Sequence, residues 1–274
     1  MKSGDGDMSP TDTTIENCAA IIMAAGKGTR MKDLAKAKVM YPILGKPMIH
    51  YVVDLALDLR MQRVVVIVGH QKDDVIRYLK GSHPLAECVV QEEQLGTGHA
   101  VMQSQEALQS FVGRVLVLSG DVPLLTKESI DALIAHHVRA KAKATILTAE
   151  MADPTGYGRI IRGRDGMVRK IVEHRDATPK ELSVREINSG IYVFEKASLF
   201  EGLEHIRADN VQHEYYLTDI FEYFGERRWR VAGLKVQNVD EIRGINTFEQ
   251  LEEARKLMET RRARSAFMHG VHES

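Results

Sequence analysis

Cysteine is scarce: two residues in 274. Two thiols in a chain this long argue for a reducing compartment rather than a disulfide-stapled fold. Cys18 and Cys88 each open an apparent strand and read as small core residues. Long apolar runs are also missing, so no segment matches a membrane span. The stretch from Met1 to Asn17 is rich in Ser, Gly, Asp and Thr and has no hydrophobic run of signal-peptide type. It predicts a disordered tail over 1–17. Charge of one sign is lacking as well. A net charge of −1 gives no electrostatic case for nucleic acid or an anionic membrane. His50, His70, His136 and His137 show no metal-ligand spacing and read as surface or core residues. No Pro- or Ser-rich linker divides the chain, and no repeat of fixed period runs through it. These absences together predict a cytoplasmic globular protein.

What is present is alternation. Strand-like runs at Cys18–Ala24, Arg63–Val68, Glu87–Gln91, Arg114–Ser119 and Ala144–Glu150 are separated by helical patterns at Pro47–Leu59, Asp73–Leu79, Gly98–Leu108 and Lys127–Arg139. Thr126 is placed to cap the last of these. Such alternation predicts an α/β fold with a Rossmann-like, mostly parallel central sheet flanked by helices. The second half reads differently. Gly158–Arg162 and Val168–Glu173 flank Gly163-Arg-Asp-Gly166, a hairpin signal, and Arg185–Phe194 forms a further strand. Short helices around Ala197–His205 and Leu217–Phe224 precede a strand at Arg230–Val236. A charged helix from Thr247 to about Ala263 follows. The expected organisation is a 1–17 tail, one domain over 18–247 with an antiparallel lid, and a helical arm over 248–274.

In open parallel sheets the ligand crevice lies beyond the carboxyl ends of the strands. Three loops fall there. The first is Gly26-Lys-Gly-Thr-Arg30, directly after an apolar strand. Two glycines let backbone N–H groups approach an anion, and the arginine offers a fork of donors matched to phosphate. It is neither a Walker A loop nor a dinucleotide fingerprint. Gly45-Lys46 has Met40 five positions upstream and Pro47 behind, and Met31 stands where a third glycine belongs. The second loop, Gln91-Glu-Glu-Gln-Leu-Gly-Thr-Gly-His99, carries amides that match the donor and acceptor edge of a pyrimidine, or else simply caps a helix. The third, Gly120-Asp121, puts a carboxylate at a strand end, suited to Mg²⁺ or to an Asp-x-Pro turn. Asn246 stands either to cap the last helix or to complete a metal site. Gly158, Glu173 and Asn188 punctuate the lid, as turn residues or as contacts for sugar hydroxyls.

Taken in order, Met23-Ala-Ala-Gly-Lys-Gly-Thr-Arg-Met, Gln-Leu-Gly-Thr-Gly-His-Ala, Gly-Asp-Val-Pro-Leu, Pro-Thr-Gly-Tyr-Gly-Arg-Ile, Val-Glu-His, Glu-Ile-Asn-Ser-Gly-Ile-Tyr, Glu-Tyr-Tyr-Leu-Thr-Asp and Gly-Ile-Asn-Thr form a set. It resembles the uridyltransferase domain of the bifunctional N-acetylglucosamine-1-phosphate uridyltransferases/glucosamine-1-phosphate acetyltransferases, over roughly residues 18 to 270. The resemblance implies the nucleotide-diphospho-sugar transferase fold. It implies that Met23, Ala24, Ala25, Gly26 and Gly28 line the nucleotide, that Arg30 and Lys38 grip phosphates, and that Gln91, Gln94, Gly96 and Thr97 hold the uridine end. Asp121 and Asn246 would bind Mg²⁺, and Gly120, Gly158, Glu173 and Asn188 the amino sugar. The substrates implied are UTP and N-acetylglucosamine 1-phosphate, with a homo-oligomer left open.

Three departures from the resembled pattern stand out. Ala37 precedes Lys38 where proline is usual, which leaves Lys36 as the rival phosphate lysine. Ser119 takes a position usually held by tyrosine, which opens the choice of sugar or pyrimidine. No hexapeptide repeats follow residue 270, so no acetyltransferase activity is expected. A nucleotide-sugar sensor without catalysis is the reading from a different class, and the presence of Arg30, Asp121 and Asn246 weighs against it.

Overall fold

The computed structural model describes residues 17–26, 28, 31 and 36–270, with side chains described as far as 264. The disordered tail expected over 1–17 therefore lies outside the described residues apart from Asn17, and so does Arg30.

The chain opens on β1 (Cys18–Ala24), then a 3-10 turn (Lys38–Met40) and a small hairpin of β2 (Pro42–Ile43) and β3 (Lys46–Pro47). There follow α1 (Met48–Asp58), β4 (Arg63–Val68), α2 (Lys72–Ser82), β5 (Ala86–Val90), α3 (Thr97–Met102), β6 (Arg114–Ser119), α4 (Lys127–Ala140) and β7 (Ala144–Glu150). The second half holds β8 (Arg159–Arg162), β9 (Val168–Val172), α5 (Pro179–Leu182), β10 (Glu186–Glu195), α6 (Lys196–Leu203), α7 (Ile220–Glu226), β11 (Val231–Lys235) and α8 (Phe248–Gly270).

The main sheet runs β11-β7-β10-β6-β1-β4-β5. β1, β4, β5 and β6 are mutually parallel, as the alternation predicts. β10 enters the sheet antiparallel between β6 and β7, and the β8–β9 hairpin hangs from its start through Ile187 and Arg159. The lid is thus continuous with the central sheet.

Both faces of β1 are buried, which explains its unbroken apolar run. Ala20, Ile22 and Ala24 join a core under α1, α2 and α4, while Ala19 and Ile21 join another under α3, α6 and α7. Each buried isoleucine contributes about 1.5–3 kcal/mol. A third cluster, with Tyr41, Ile43, Met48, Leu124, Ile245 and Leu251, seats α8 on the hairpin.

Three expectations need correction, and one on capping holds. The helix read over Gly98–Leu108 ends at Met102, where the buried Ser104 hydroxyl turns back to the Val101 carbonyl at 2.6 Å and competes with helix continuation. The last helix extends to Gly270, past Ala263. Cys88 lies inside β5 rather than opening it, and is only half-buried because β5 is the sheet edge. Thr126 does cap α4, accepting from the Ser129 amide at 3.3 Å.

Candidate active site

The site begins with a collision that glycine avoids. Gly28 has φ +61°, and a Cβ there would lie 2.7 Å from the Lys38 Cβ. The loop after β1 therefore closes directly onto Lys38. The 3-10 turn, bonded from Met40 N to Ala37 O at 2.9 Å, presents that lysine inward. Its ammonium donates to the Asp121 carboxylate and, at 3.1 Å, to Asn246 Oδ1. The lysine and aspartate side chains are 15% and 17% exposed, so the pair is shielded but reachable. Lys36 does something else: its ammonium lies 5.3 Å from the centre of the Tyr41 ring. Of the two rival lysines, Lys38 is the one at the rim.

Asp121 follows β6 at its carboxyl end. The Gly120 amide donates to Met23 O at 2.9 Å, and a Cβ on Gly120 would meet Ile49 Cδ1 at 3.0 Å. Gly120 is wedged between β1 and α1, and that wedge sets the position of its neighbour. Asn246 comes from far away in the chain. The Ile245 amide bonds to the Asp121 carbonyl at 2.9 Å, which lays the 244–246 segment along the rim. The capping question resolves locally. Thr247 Oγ1 accepts from the Gln250 amide, and the Gln250 side chain accepts from the amides of Thr247 and Asn246, a reciprocal box. Asn246 is not the cap, and its Nδ2 donates to Gly244 O at 3.1 Å, turning Oδ1 to the lysine.

Behind the rim lies a cavity of about 460 Å³. Met23, Ala24, Ala25, Gly26 and Gly28 form one wall, Gln91, Gln94, Gly96 and Thr97 another, and Lys38, Ser119, Asp121 and Glu214 the mouth. Gln91 is almost fully buried. Its Nε2 donates to Gly96 O at 3.2 Å, while Gln94 Nε2 donates to the carbonyls of Gln91 and Glu92. The glycine of this second loop has an unforeseen reason. Gly96 sits at φ +113°, and a Cβ would lie 2.6 Å from Tyr215 O. Thr97 Oγ1 accepts from the Leu217 amide at 3.0 Å. The Glu214–Leu217 segment is therefore docked on the loop, and Glu214 reaches the cavity, a residue sequence reasoning did not single out.

The lid residues meet separately. A Cβ on Gly158 would lie 3.4 Å from Glu173 Oε1 and 3.5 Å from the Asn188 Cβ, and Gly158 O accepts from the Asn188 amide at 2.9 Å. Asn188 shapes a bulge in β10: its Oδ1 accepts from the Gly190 amide at 3.1 Å and its Nδ2 donates to the buried Tyr192 hydroxyl at 2.7 Å. Gly190 has φ +78° and a Cβ there would come 3.7 Å from Ser119 Oγ, so Ser119 stands between the lid cluster and the cavity.

Burial pushes the Glu173 carboxyl above the usual carboxylate range; a 3.0 Å bond from the Thr218 hydroxyl opposes this and the Asp176 charge adds to it. On its far side Glu173 borders a second cavity of about 650 Å³ with Asp176, Asp219 and Glu222. Burial together with Glu222, Glu173 and Asp176 pushes Asp219 up to about 7.

The rim as a whole offers a carboxylate and an amide oxygen converging on a single cation, here an ammonium. That donor set of hard oxygens fits Mg²⁺. No helix among the described residues is long and apolar enough to cross a membrane.

The chain is similar to known proteins. The bifunctional protein GlmU of Listeria monocytogenes serotype 4a (strain HCC23) is 46% identical over 252 residues, which cover 92% of this chain and 54% of the relative. The GlmU of Geobacillus sp. (strain WCH70) is 45% identical with the same coverage. That of Halalkalibacterium halodurans is 44% identical over 254 residues, 93% of this chain and 55% of the relative. The chain thus spans about half the length of the curated relatives it matches. A crystal structure of UDP-glucose pyrophosphorylase complexed with UDP-glucose superposes with a TM-score of 0.71 at 19% identity, covering 89% of this chain and 98% of that one, a likeness of fold. The nucleotidyl transferase family profile runs from residue 19 to 238, from the first strand through the cavity loops and the lid, and to that family this chain belongs.

Proposed function

We propose that the chain transfers a uridylyl group from UTP to N-acetylglucosamine 1-phosphate, yielding UDP-N-acetylglucosamine and pyrophosphate. The observation that carries this reading is the meeting of Lys38, Asp121 and Asn246 at the mouth of a cavity walled by backbone and small side chains. The GlmU relatives, alike over nine-tenths of this chain, support the choice of reaction.

In this reading the sugar phosphate oxygen attacks the α-phosphorus in line with the departing pyrophosphate, forming one P–O bond as another breaks. A phosphate monoester is mostly dianionic near neutral pH, its second pKa being about 6. No general base is needed, and catalysis is positioning and charge neutralisation. Lys38 balances charge on the phosphates, with Arg30 assigned to the same task from the glycine loop. Asp121 and Asn246 would hold Mg²⁺, which when bound supplies further neutralisation of the phosphate oxygens. Met23, Ala24, Ala25, Gly26 and Gly28 follow the triphosphate and leave room for it. The spent amides of Gln91 and Gln94 leave their Oε1 atoms to accept from a base edge. Gly158, Glu173 and Asn188 face the amino sugar. The organisation proposed remains one catalytic unit over 18–247 with an arm beyond it.

Ser119 favours a second reading of substrate. A short hydroxyl where the resembled domain usually carries an aromatic ring widens the passage between cavity and lid. A pyrophosphate-release assay with UTP, CTP and dTTP against several sugar 1-phosphates, with and without Mg²⁺, tests both. Turnover with UTP and N-acetylglucosamine 1-phosphate above all other pairs is the expected result. Preference for another sugar shifts the reading to that sugar, and no release with any pair overturns it.

A further inference from the structure

Away from the cleft, on the outer face of the α1–α2 pair, two buried imidazoles converge on one carboxylate. His50 and Asp54 stand one turn apart on α1, and His83 is the residue that ends α2. His83 Nε2 lies 2.9 Å from Asp54 Oδ1, and His50 Nε2 lies 3.0 Å from Asp54 Oδ2. One donor atom from each of the three residues falls within 4.8 Å of the other two. The rings themselves are 4.6 Å apart, edge to face.

Counting protons shows what this cluster is short of. The Ser82 hydroxyl donates its only proton to Tyr78 O at 2.8 Å. The 2.7 Å contact between Ser82 Oγ and His83 Nδ1 must then be a bond donated by Nδ1. In a neutral imidazole that leaves a lone pair on Nε2, aimed at a carboxylate oxygen, and like lone pairs repel. His50 has the same difficulty in another form. Its Nδ1 is bonded to the Tyr78 hydroxyl at 2.9 Å, while its Nε2, close to Asp54, is buried with no hydrogen-bond partner. An orphaned polar atom in a closed site costs about 1–3 kcal/mol in general, and His50 Nε2, turned with His83 Nε2 toward one carboxylate, offers its lone pair to a cation there. His83 is 3% exposed and His50 9%, whereas the Asp54 side chain is 45% exposed, so the point is closed on the protein side and open to water on the other.

We propose that His50, Asp54 and His83 bind a divalent transition metal, Zn²⁺ being the ion their donors fit. Two imidazole nitrogens and one carboxylate select a borderline metal over Mg²⁺ or Ca²⁺. Three protein ligands and one solvent position complete a tetrahedron. The partners on the far ring nitrogens are already in place: Ser82 Oγ stands at His83 Nδ1, and the Tyr78 hydroxyl is placed to receive a proton from His50 Nδ1 when Nε2 binds a metal. The i,i+4 pair on one helix and a third ligand 29 residues on, at the end of the next helix, explain why spacing alone does not disclose the site. The bound ion clamps α1 to the end of α2, and α1 is the helix whose Ile49 presses on Gly120 beside the rim.

The test uses the full chain, stripped with EDTA, dialysed, and kept in excess Mg²⁺ so that hard-oxygen sites are occupied. Zn²⁺ is titrated by calorimetry and Co²⁺ by visible absorption. One equivalent of each should bind, Co²⁺ with the intense bands of low coordination number. Asp54→Asn and His83→Gln should each weaken binding on the order of 100-fold or more, and Asp121→Asn should leave it unchanged. A hundredfold excess of Zn²⁺ over Kd should raise Tm by about 5 °C in the wild type and not in the two site variants. Because Asp54 is half-exposed, its variant carries the comparison if His83→Gln fails to fold. No saturable binding to the folded wild type, binding that survives Asp54→Asn, or binding abolished by Asp121→Asn would overturn the assignment.

Discussion

The two ends of the cleft are built by different means. On the cavity side much of the wall is glycine and alanine, Ala24, Ala25, Gly26, Gly28 and Gly96, set with Met23, Gln91, Gln94 and Thr97 at the carboxyl ends of parallel strands. On the lid side they are polar side chains bonded to one another, Asn188 to Tyr192 and Thr218 to Glu173, around a bulge in an antiparallel strand. At Gly28 and Gly96 the wall tolerates few changes in shape because a Cβ has nowhere to go, whereas a side-chain network can be retuned residue by residue. In the proposed reaction the recognition of a common polyphosphate would fall to the first kind of wall, and the choice of sugar to the second.

The junction of the two ends is where the largest effect is expected. Asp121→Ala should lower pyrophosphate release about 10²–10³-fold, with near-UV circular dichroism unchanged. Near-normal turnover in the folded variant would remove Asp121 from its assigned role. Rigidity of the cavity wall is tested next. Gly96→Ala forces a positive φ and a 2.6 Å approach to Tyr215 O, and should cost about 2–4 kcal/mol in urea unfolding. Gly158→Ala in the lid, with its nearest neighbour at 3.2 Å, should cost within about 1 kcal/mol. Equal losses would erase the contrast between the walls.

The side-chain network is probed by Asn188→Ala, which leaves the buried Tyr192 hydroxyl without its donor. Stability should fall by about 1–3 kcal/mol, and KM should rise for the sugar phosphate while KM for UTP holds. A parallel rise in both would mean the two ends are not separable. The smallest effect concerns Asp219, whose folded pKa of about 7 stands above its ordinary value. A raised carboxyl favours the folded state below the unfolded pKa, and that advantage disappears as pH rises through about 7. Relative to the wild type, Asp219→Asn should therefore gain stability between about pH 5 and pH 8, by about 1–2 kcal/mol once partial exposure is discounted. A pH-independent difference in urea midpoints would contradict this.

The same contrast governs what could be read from the chain. β1, β4, β6 and β7 are built mainly of buried apolar residues, and their limits coincide with the expected ones. The loops following them announce themselves locally, as Gly26 and Gly28 do. Asn246 could not be placed that way, since its partner Lys38 lies 208 residues upstream and its own neighbour Thr247 takes the cap. The 3-10 turn at Lys38–Met40 and the hairpin of β2 and β3 are too short for periodicity to reveal, and the hairpin packs against α8 from the other end of the chain. Gly28 and Gly96 were legible as glycines, but what they accommodate, a lysine and a distant carbonyl, was not.

The bond from the Ile245 amide to the Asp121 carbonyl sets an order in time. As the polypeptide leaves the ribosome, the sheet and the cavity loops are all made before Gly244-Ile-Asn246 emerges. The cavity walls of a growing chain can therefore be in place while the rim still lacks the Asn246 oxygen that meets Lys38.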